Sequence, residues 1–322
     1  MIHDTLLQNI NAYFEKIIDE VTKYGGDVLK FAGDAIFAEW RINDKFHNFN
    51  EESFAIQLCV HSAASCGASV VAKCSDFPVY ISSGGNDGPQ ISTLNVHCGL
   101  GFGTMAGVHV GNDNMRREFI FLGNPIDQVS KACDVASHGE LMASPESYDI
   151  LTQRASRRIL VTTTRRKQKT AQPFLIASRE KRFFSELQSA SSKKFQTSST
   201  SNKKQFTIPF DKMDSTMLEY LQKLVSLYVH PVVLSDVRSR RSSGEASIVQ
   251  AQHRAEAEIR SVYTIFVKVL VPTELDSRGN SNQTTFDLLN NILNEVVTML
   301  KSFKAHLRQF IVDDKGNDLK LT

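Results

Sequence analysis

Two places in the chain set ionisable side chains where they could meet a metal ion or a phosphate. Asp34 follows Gly33 between the apolar runs Val28-Leu29-Lys30-Phe31 and Ala35-Ile36-Phe37-Ala38. That pattern predicts a β-hairpin with the Gly-Asp pair at its tip. A carboxylate there either closes the turn, as aspartates commonly do, or offers hard oxygens to a divalent cation. Asp127 and Lys131 stand four residues apart in a segment opened by Asn124-Pro125. Helical spacing puts both on one face. The same pair also reads as an ordinary solvated acid–base couple on a helix surface.

Other chemistries find no support. There is no GxxxxGKS phosphate loop, and Gly99-Leu-Gly-Phe-Gly103 is not a GxGxxG opening a helix. Those glycines read instead as places where a strand bends or meets another backbone closely. His97 and His109 lack partners at metal-ligand spacing and read as structural. Cys59, Cys66, Cys74, Cys98 and Cys133 are odd in number with no CxxC, the usage of reduced thiols in a cytosolic protein.

The elements that must hold these residues follow from periodicity. Leu6, Leu7, Ile10, Tyr13, Phe14, Ile17, Ile18 and Val21 recur at helical spacing, and Tyr24-Gly25-Gly26 stops that helix before the hairpin. A second helix is expected over 51–73, strands over 94–100, 105–110 and 118–122, and a helix over 126–137. Residues 141–143 and a helix opened by Ser144-Pro145-Glu146 close the unit. Residues 154–208 turn Ser-, Lys- and Arg-rich and read as a flexible linker. Helices near 215–229 and 247–260, separated by the loose segment 238–245, lead to a strand at 262–267.

An internal repeat decides the organisation. Residues 289–313 match 10–34 at a constant offset without a gap: Leu289 pairs with Ile10, Ile292 with Tyr13, Leu293 with Phe14, Val296 with Ile17, Leu300 with Val21 and Phe310 with Phe31. The expected domains are therefore 1–153, a basic linker over 154–260, and the opening of the same domain again over 261–322. The net charge of +2 hides a split: residues 1–150 carry 9 Lys+Arg against 19 Asp+Glu, and the remainder 28 against 16. The basic half has no aromatic–arginine array to stack bases, so nucleic acid is not the expected partner. The N-terminus has no signal-peptide pattern. No run approaches the roughly 18 apolar residues of a membrane span. A cytoplasmic, soluble protein is expected.

The segments LKFAGDAIFAEW (29–40), NVHCGLGFGTMAGVHVG (95–111), RREFIFLGNPIDQVSKACDVA (116–136) and GELMASPESYDIL (139–151) resemble, in order and spacing, class III nucleotidyl cyclases. The resemblance is strongest to the first catalytic domain of soluble adenylyl cyclases. It implies an α+β fold, a ferredoxin-like βαββαβ domain lacking its first strand, then the linker and a truncated second copy. It further implies conversion of ATP to cyclic AMP and pyrophosphate with two Mg²⁺ or Mn²⁺ ions, at a site shared by two domains that pair head to tail.

On that resemblance Asp34 is a metal ligand, with Phe31, Ala32 and Gly33 shaping the nucleotide side of the hairpin. The family's second metal aspartate lies on the first strand, which this sequence does not include. Asp127 and Lys131 occupy the positions of the family's catalytic Asn and Arg, a departure that fits a metal-carrying half whose partner supplies that pair. Lys30 occupies a pocket position that binds bicarbonate in responsive relatives, but the arginine expected with it is Ser130. In the second copy Lys268 replaces the metal aspartate, and Gln309 stands at a purine-reading position. The chain alone is expected to be inactive or weakly active, a fragment of a longer cyclase. The competing expectation is a non-catalytic pseudo-cyclase module that pairs with a complete cyclase.

Overall fold

Apolar residues at helical spacing fold Ile2–Lys23 into α1, and its stop is chemically explicit. Gly26 N–H donates to the Val21 carbonyl at 2.9 Å and Gly25 N–H to that of Thr22 at 3.0 Å. Gly25 has φ +77°. This is a Schellman end, in which a left-handed residue lets the chain satisfy the last helical carbonyls. The chain turns directly into β1 (Asp27–Ala32) and β2 (Ala35–Glu39), an antiparallel hairpin with Ala32 opposite Ala35. The computed structural model describes residues 2–42, 49–80, 90–112, 114–153, 172–178, 214–229, 263, 265–269, 283–313 and 316–321. The expected helix over 247–260 lies outside them.

Further elements follow in chain order: α2 (Phe49–Cys74), β3 (Phe77–Tyr80), β4 (Gln90–Leu94), β5 (Cys98–Leu100), β6 (Ala106–Gly111), β7 (Arg117–Leu122), α3 (Asn124–Val135), β8 (Glu140–Ala143), α4 (Pro145–Gln153) and β9 (Phe174–Ser178). After these come α5 (Ser215–Tyr228), β10 (Ile265–Val269), α6 (Gln283–Ser302), β11 (Leu307–Asp313) and β12 (Gly316–Leu321). They form two compact units. One comprises Met1–Gly103 with Pro125–Thr200, the other Thr104–Asn124 with Ser201–Thr322. Packing thus divides the chain differently from sequence continuity: the β6–β7 hairpin leaves the first stretch and joins the second unit.

In the first unit α2 is the central helix. Val60, Ala63, Ala64, Ala68 and Val71 pack with Leu100, Leu141, Ala143, Leu151 and Ala177. On another side Cys66, Val70 and Cys74 meet Tyr13, Ile17, Val21 and Tyr24. By length and composition Glu52–Cys74 could cross a membrane, which the sequence reading did not anticipate; over half of that stretch is buried in this core. β5 pairs in parallel with β8, and β8 pairs antiparallel with β9. The expected single strand over 94–100 is two strands, because β4 pairs with β3 while β5 pairs with β8. Asn95 sits in the break and accepts a bond from Asp76 N–H at 3.0 Å. β9 falls inside the stretch read as linker; the apolar run Phe174–Ser178 finds a strand partner, and Tyr148 stacks on Phe174 with centroids 4.2 Å apart.

The second unit holds a three-stranded antiparallel sheet in the order β10-β12-β11. Its α6, β11 and β12 echo α1, β1 and β2 in detail. β1 carries a bulge between Val28 and Lys30, and β11 carries one between Leu307 and Gln309, the positions that the repeat pairs. α6 stops as α1 does, with Ala305 N–H on Leu300 O at 2.9 Å and Lys304 N–H on Lys301 O at 3.2 Å. The left-handed position, Gly25 in α1, is here Lys304 at φ +54°. A side chain is strained there. Lys304→Gly is therefore expected to stabilise the second unit by about 0.5–1 kcal/mol, read as a raised urea midpoint.

Each helix has two apolar seams, and the two units bury different ones. On α1 it is Tyr13, Ile17 and Val21 that are buried. On α6 it is Leu289, Leu293 and Val297, with Phe310 of β11, packed under Val110, Ile120 and Leu122 of the β6–β7 hairpin. Asn290 Oδ1 accepts from Gly111 N–H at 2.7 Å, pinning the hairpin to the helix. The first-unit counterpart of fully buried Phe310 is Phe31, 44% exposed.

Candidate functional site

Gly33-Asp34 forms a two-residue turn. Gly33 has φ +67° and Asp34 does not share that sign, the pattern of a hairpin with glycine at the first central position. Asp34 is exposed at the tip, and among the described residues its carboxylate makes no hydrogen bond or ion pair. Phe31 meets Phe14 of α1 edge-on, centroids 5.6 Å apart. Lys30 is half-buried beside it. The structure thus brings Lys30, Phe31, Ala32, Gly33 and Asp34 together on one hairpin.

Asp127 and Lys131 lie on α3, Asp127 half-buried in the first turn and Lys131 exposed one turn later. An acid in that first turn complements the positive helix end. What fixes α3 is a neighbour that the sequence reading passed over. Gln128 is buried, and its Oε1 accepts from Phe102 N–H at 2.8 Å and from Ser144 Oγ at 2.9 Å. Ser144 in turn accepts from Ser147 N–H at 3.2 Å, capping α4. The only sequence signal was a helical position facing the same way as Pro125 and Ala132.

The glycines of the 99–103 run allow this close seat. A Cβ on Gly99 would stand 2.5 Å from the Val129 carbonyl oxygen, and one on Gly101 2.6 Å from that of Pro125. α3 therefore rests on bare backbone, as the reading of these glycines expected. Gly101→Ala is expected to push α3 outward at a cost of about 1–3 kcal/mol, measured by urea unfolding. It should also raise amide exchange at Gln128 and Val129.

α1 and α2 are tied by a buried acid. Glu20 accepts from Ser69 Oγ at 2.6 Å and pairs with Lys73, with Lys23 at 3.8 Å. Burial alone would raise its pKa; hydrogen bonds from Lys73 and Ser69, and the two lysine charges, outweigh it and hold the carboxyl below its ordinary value. None of the five cysteines forms a disulfide. Burial pushes the Cys66 thiol up to about 12 and raises Cys59, Cys74 and Cys98. A thiol held in its neutral form by burial is a poor nucleophile. His97 meets the His138 ring edge-on and His109 stacks on Phe119.

Among the described residues no three His, Cys, Asp or Glu side chains converge to hold a metal ion. Asp34 offers one hard ligand, which fits Mg²⁺ only as a contribution to a site completed by phosphate oxygens or other groups. Gln309 lies on β11 of the second unit.

No protein-family model matches the chain. Adenylate cyclase type 10 of Oryctolagus cuniculus is 26% identical over 147 residues, 46% of this chain. The Mus musculus and Homo sapiens proteins are 26% and 25% identical over the same length. The chain spans 8% of the length of these curated relatives. Among solved structures, the adenylyl cyclase CyaB from P. aeruginosa matches with a TM-score of 0.32 and 16% identity, covering 53% of this chain and 79% of that one. Over those 147 residues the similarity to adenylate cyclases supports the resemblance to class III nucleotidyl cyclases read from the sequence. The sequence similarity is to the adenylate cyclase type 10 branch.

Proposed function

We propose that this chain belongs to a cyclic-nucleotide-forming enzyme of the adenylyl cyclase kind, converting ATP to cyclic AMP and pyrophosphate in the cytoplasm. Its part is that of the metal-carrying domain together with the first elements of a partner domain. The observation that carries this reading is the seat of the β6–β7 hairpin. Residues 104–124, continuous in sequence with the Asp34 domain, share a core with the repeat of α1 and β1. A stretch that is cyclase-like by sequence and completes the core around the repeat supports pairing of the two copies. The antiparallel order β10-β12-β11 around α6 supports a ferredoxin-like half for the second copy.

On this reading Asp34 supplies one carboxylate ligand for Mg²⁺ or Mn²⁺ beside the nucleotide phosphates. Phe31, Ala32 and Gly33 shape the surface next to it, and Lys30 faces the regulatory pocket. Lys131 adds positive charge near the phosphates, while Asp127 replaces the amide that would hydrogen-bond them. Gln309 reads the purine from the second domain. With Asp127 and Lys131 in place of the Asn/Arg pair, the chain alone has little activity, because each lost transition-state donor costs roughly 10²–10³-fold.

The test is the chain mixed with a complete second cyclase domain, measuring Mn²⁺-dependent cyclic AMP formation. Asp34→Ala is expected to lower it by about a hundredfold or more. Equal turnover in the variant would overturn the assignment. A second reading, a non-catalytic module that regulates a complete cyclase, is favoured by the Asp127/Lys131 departure. It predicts tight association that survives Asp34→Ala, without metal-dependent ATP binding.

A further inference from the structure

The β6–β7 hairpin is held from both faces, in very different ways. Along one face Val110, Ile120 and Leu122 are almost wholly buried with α6 and β11. The other face is aromatic. His109 lies opposite Phe119 across the strands and stacks on it, centroids 4.5 Å apart; Phe121 meets Phe119 edge-on at 4.6 Å. Gly107 makes this possible: a Cβ there would stand 2.7 Å from the Phe119 ring. Onto this seat comes the last turn of α5. Tyr228 Oη lies 2.9 Å from His109 Nδ1, and the two rings meet edge-on at 5.7 Å.

Among the described residues α5 is otherwise thinly attached. Leu227 is its buried residue, while Met217, Tyr220 and Val225 stand about half exposed. Asp214 caps its start, accepting from Met217 N–H at 2.7 Å. A 14-residue helix is marginal without tertiary contacts, so its order depends on the Tyr228 end. We infer that α5 is a releasable latch, whose docking of Tyr228 on His109 opens and closes the aromatic face while the other face stays shut. A segment between the two repeated stretches thereby acquires a handle on the element that joins the second core. Local openings of this kind draw on the least-buried parts of a structure. This inference needs only the packing of the second unit and is independent of any catalytic role.

Hydrogen exchange on the full chain tests it, with a free peptide of residues 212–230 as reference. In the unaltered chain α5 amides should exchange more slowly than in the peptide. Tyr228→Ala should speed them by about tenfold or more, towards peptide rates. Amides of β6, β7 and α6 should change less than about twofold. Tyr228→Phe keeps the ring contact and removes the hydroxyl, so its effect should be intermediate. Unchanged α5 exchange in Tyr228→Ala, or α5 already at peptide rates in the unaltered chain, would overturn the latch. Loss of protection across β6, β7 and α6 together with α5 would overturn it as well, because the contact would then belong to the core.

Discussion

Replacing Glu20 with alanine is expected to destabilise the first unit by about 1–3 kcal/mol, chiefly the cost of leaving the buried Ser69 hydroxyl without its acceptor. Lys73 is 38% exposed, so its charge returns to water. Lys73 would lose its carboxylate, and Ser69 its acceptor, between α1 and α2. Trp40, the single tryptophan, packs against both core clusters of this unit, so its fluorescence in urea reports the loss. Glu20→Gln keeps an acceptor for Ser69 and should cost less. The pH dependence has a definite sign. Glu20 titrates lower when folded than when unfolded, where glutamate sits near 4.3. Its contribution is therefore present above that value and lost as pH falls through the folded pKa. Lys73 runs the other way. Burial lowers its pKa but the Glu20 hydrogen bond and charge raise it more, so its share is lost only as pH rises above the ordinary lysine range. An unfolding midpoint that falls less steeply in acid in Glu20→Ala than in the unaltered chain is the expected contrast.

Truncating Phe310 should be more costly and more informative. The side chain is fully buried with Leu289, Leu293 and Leu307 beneath the hairpin, and removing a buried phenyl ring costs about 3–5 kcal/mol. The damage is expected to appear at a distance in sequence. Amides of Val108 to Val110 and Ile120 to Leu122 should lose protection along with those of α6. If the hairpin keeps its protection in Phe310→Ala, the hairpin does not depend on that core, and the pairing argument built on it fails.

Much of this was legible in the residues. Helical spacing located α1 and α2, and Gly33-Asp34 located the first hairpin, because each depends on neighbours within a few positions. The glycines at 99 and 101 announced a close approach, although not that α3 was the visitor. The offset between α1 and α6 carried through to the same bulge and the same helix stop. What escaped depended on distant partners. Glu20 and Gln128 look like surface residues until Ser69, Lys73, Phe102 and Ser144 are brought to them. β9 was hidden in a basic, Ser-rich stretch, since five residues of strand have no period to reveal them without β8. The membership of β6 and β7 in the second unit was invisible for the same reason: alternation says that a strand has an inner face, not which core it faces.

The bond from Gly111 to Asn290 joins residues 179 positions apart, and a ribosome makes the chain from one end. At about 5–20 residues per second, roughly 10–35 seconds separate the appearance of the hairpin from that of the helix that covers it. Throughout that interval Val110, Ile120 and Leu122 have nothing of their own to pack against, while most of the first unit is already available to fold. The nascent protein is thus obliged to carry a greasy, half-finished ribbon throughout that interval. Its yield in a cell should follow the supply of chaperones and the speed of translation between codons 122 and 289 more closely than it follows the stability of the finished fold.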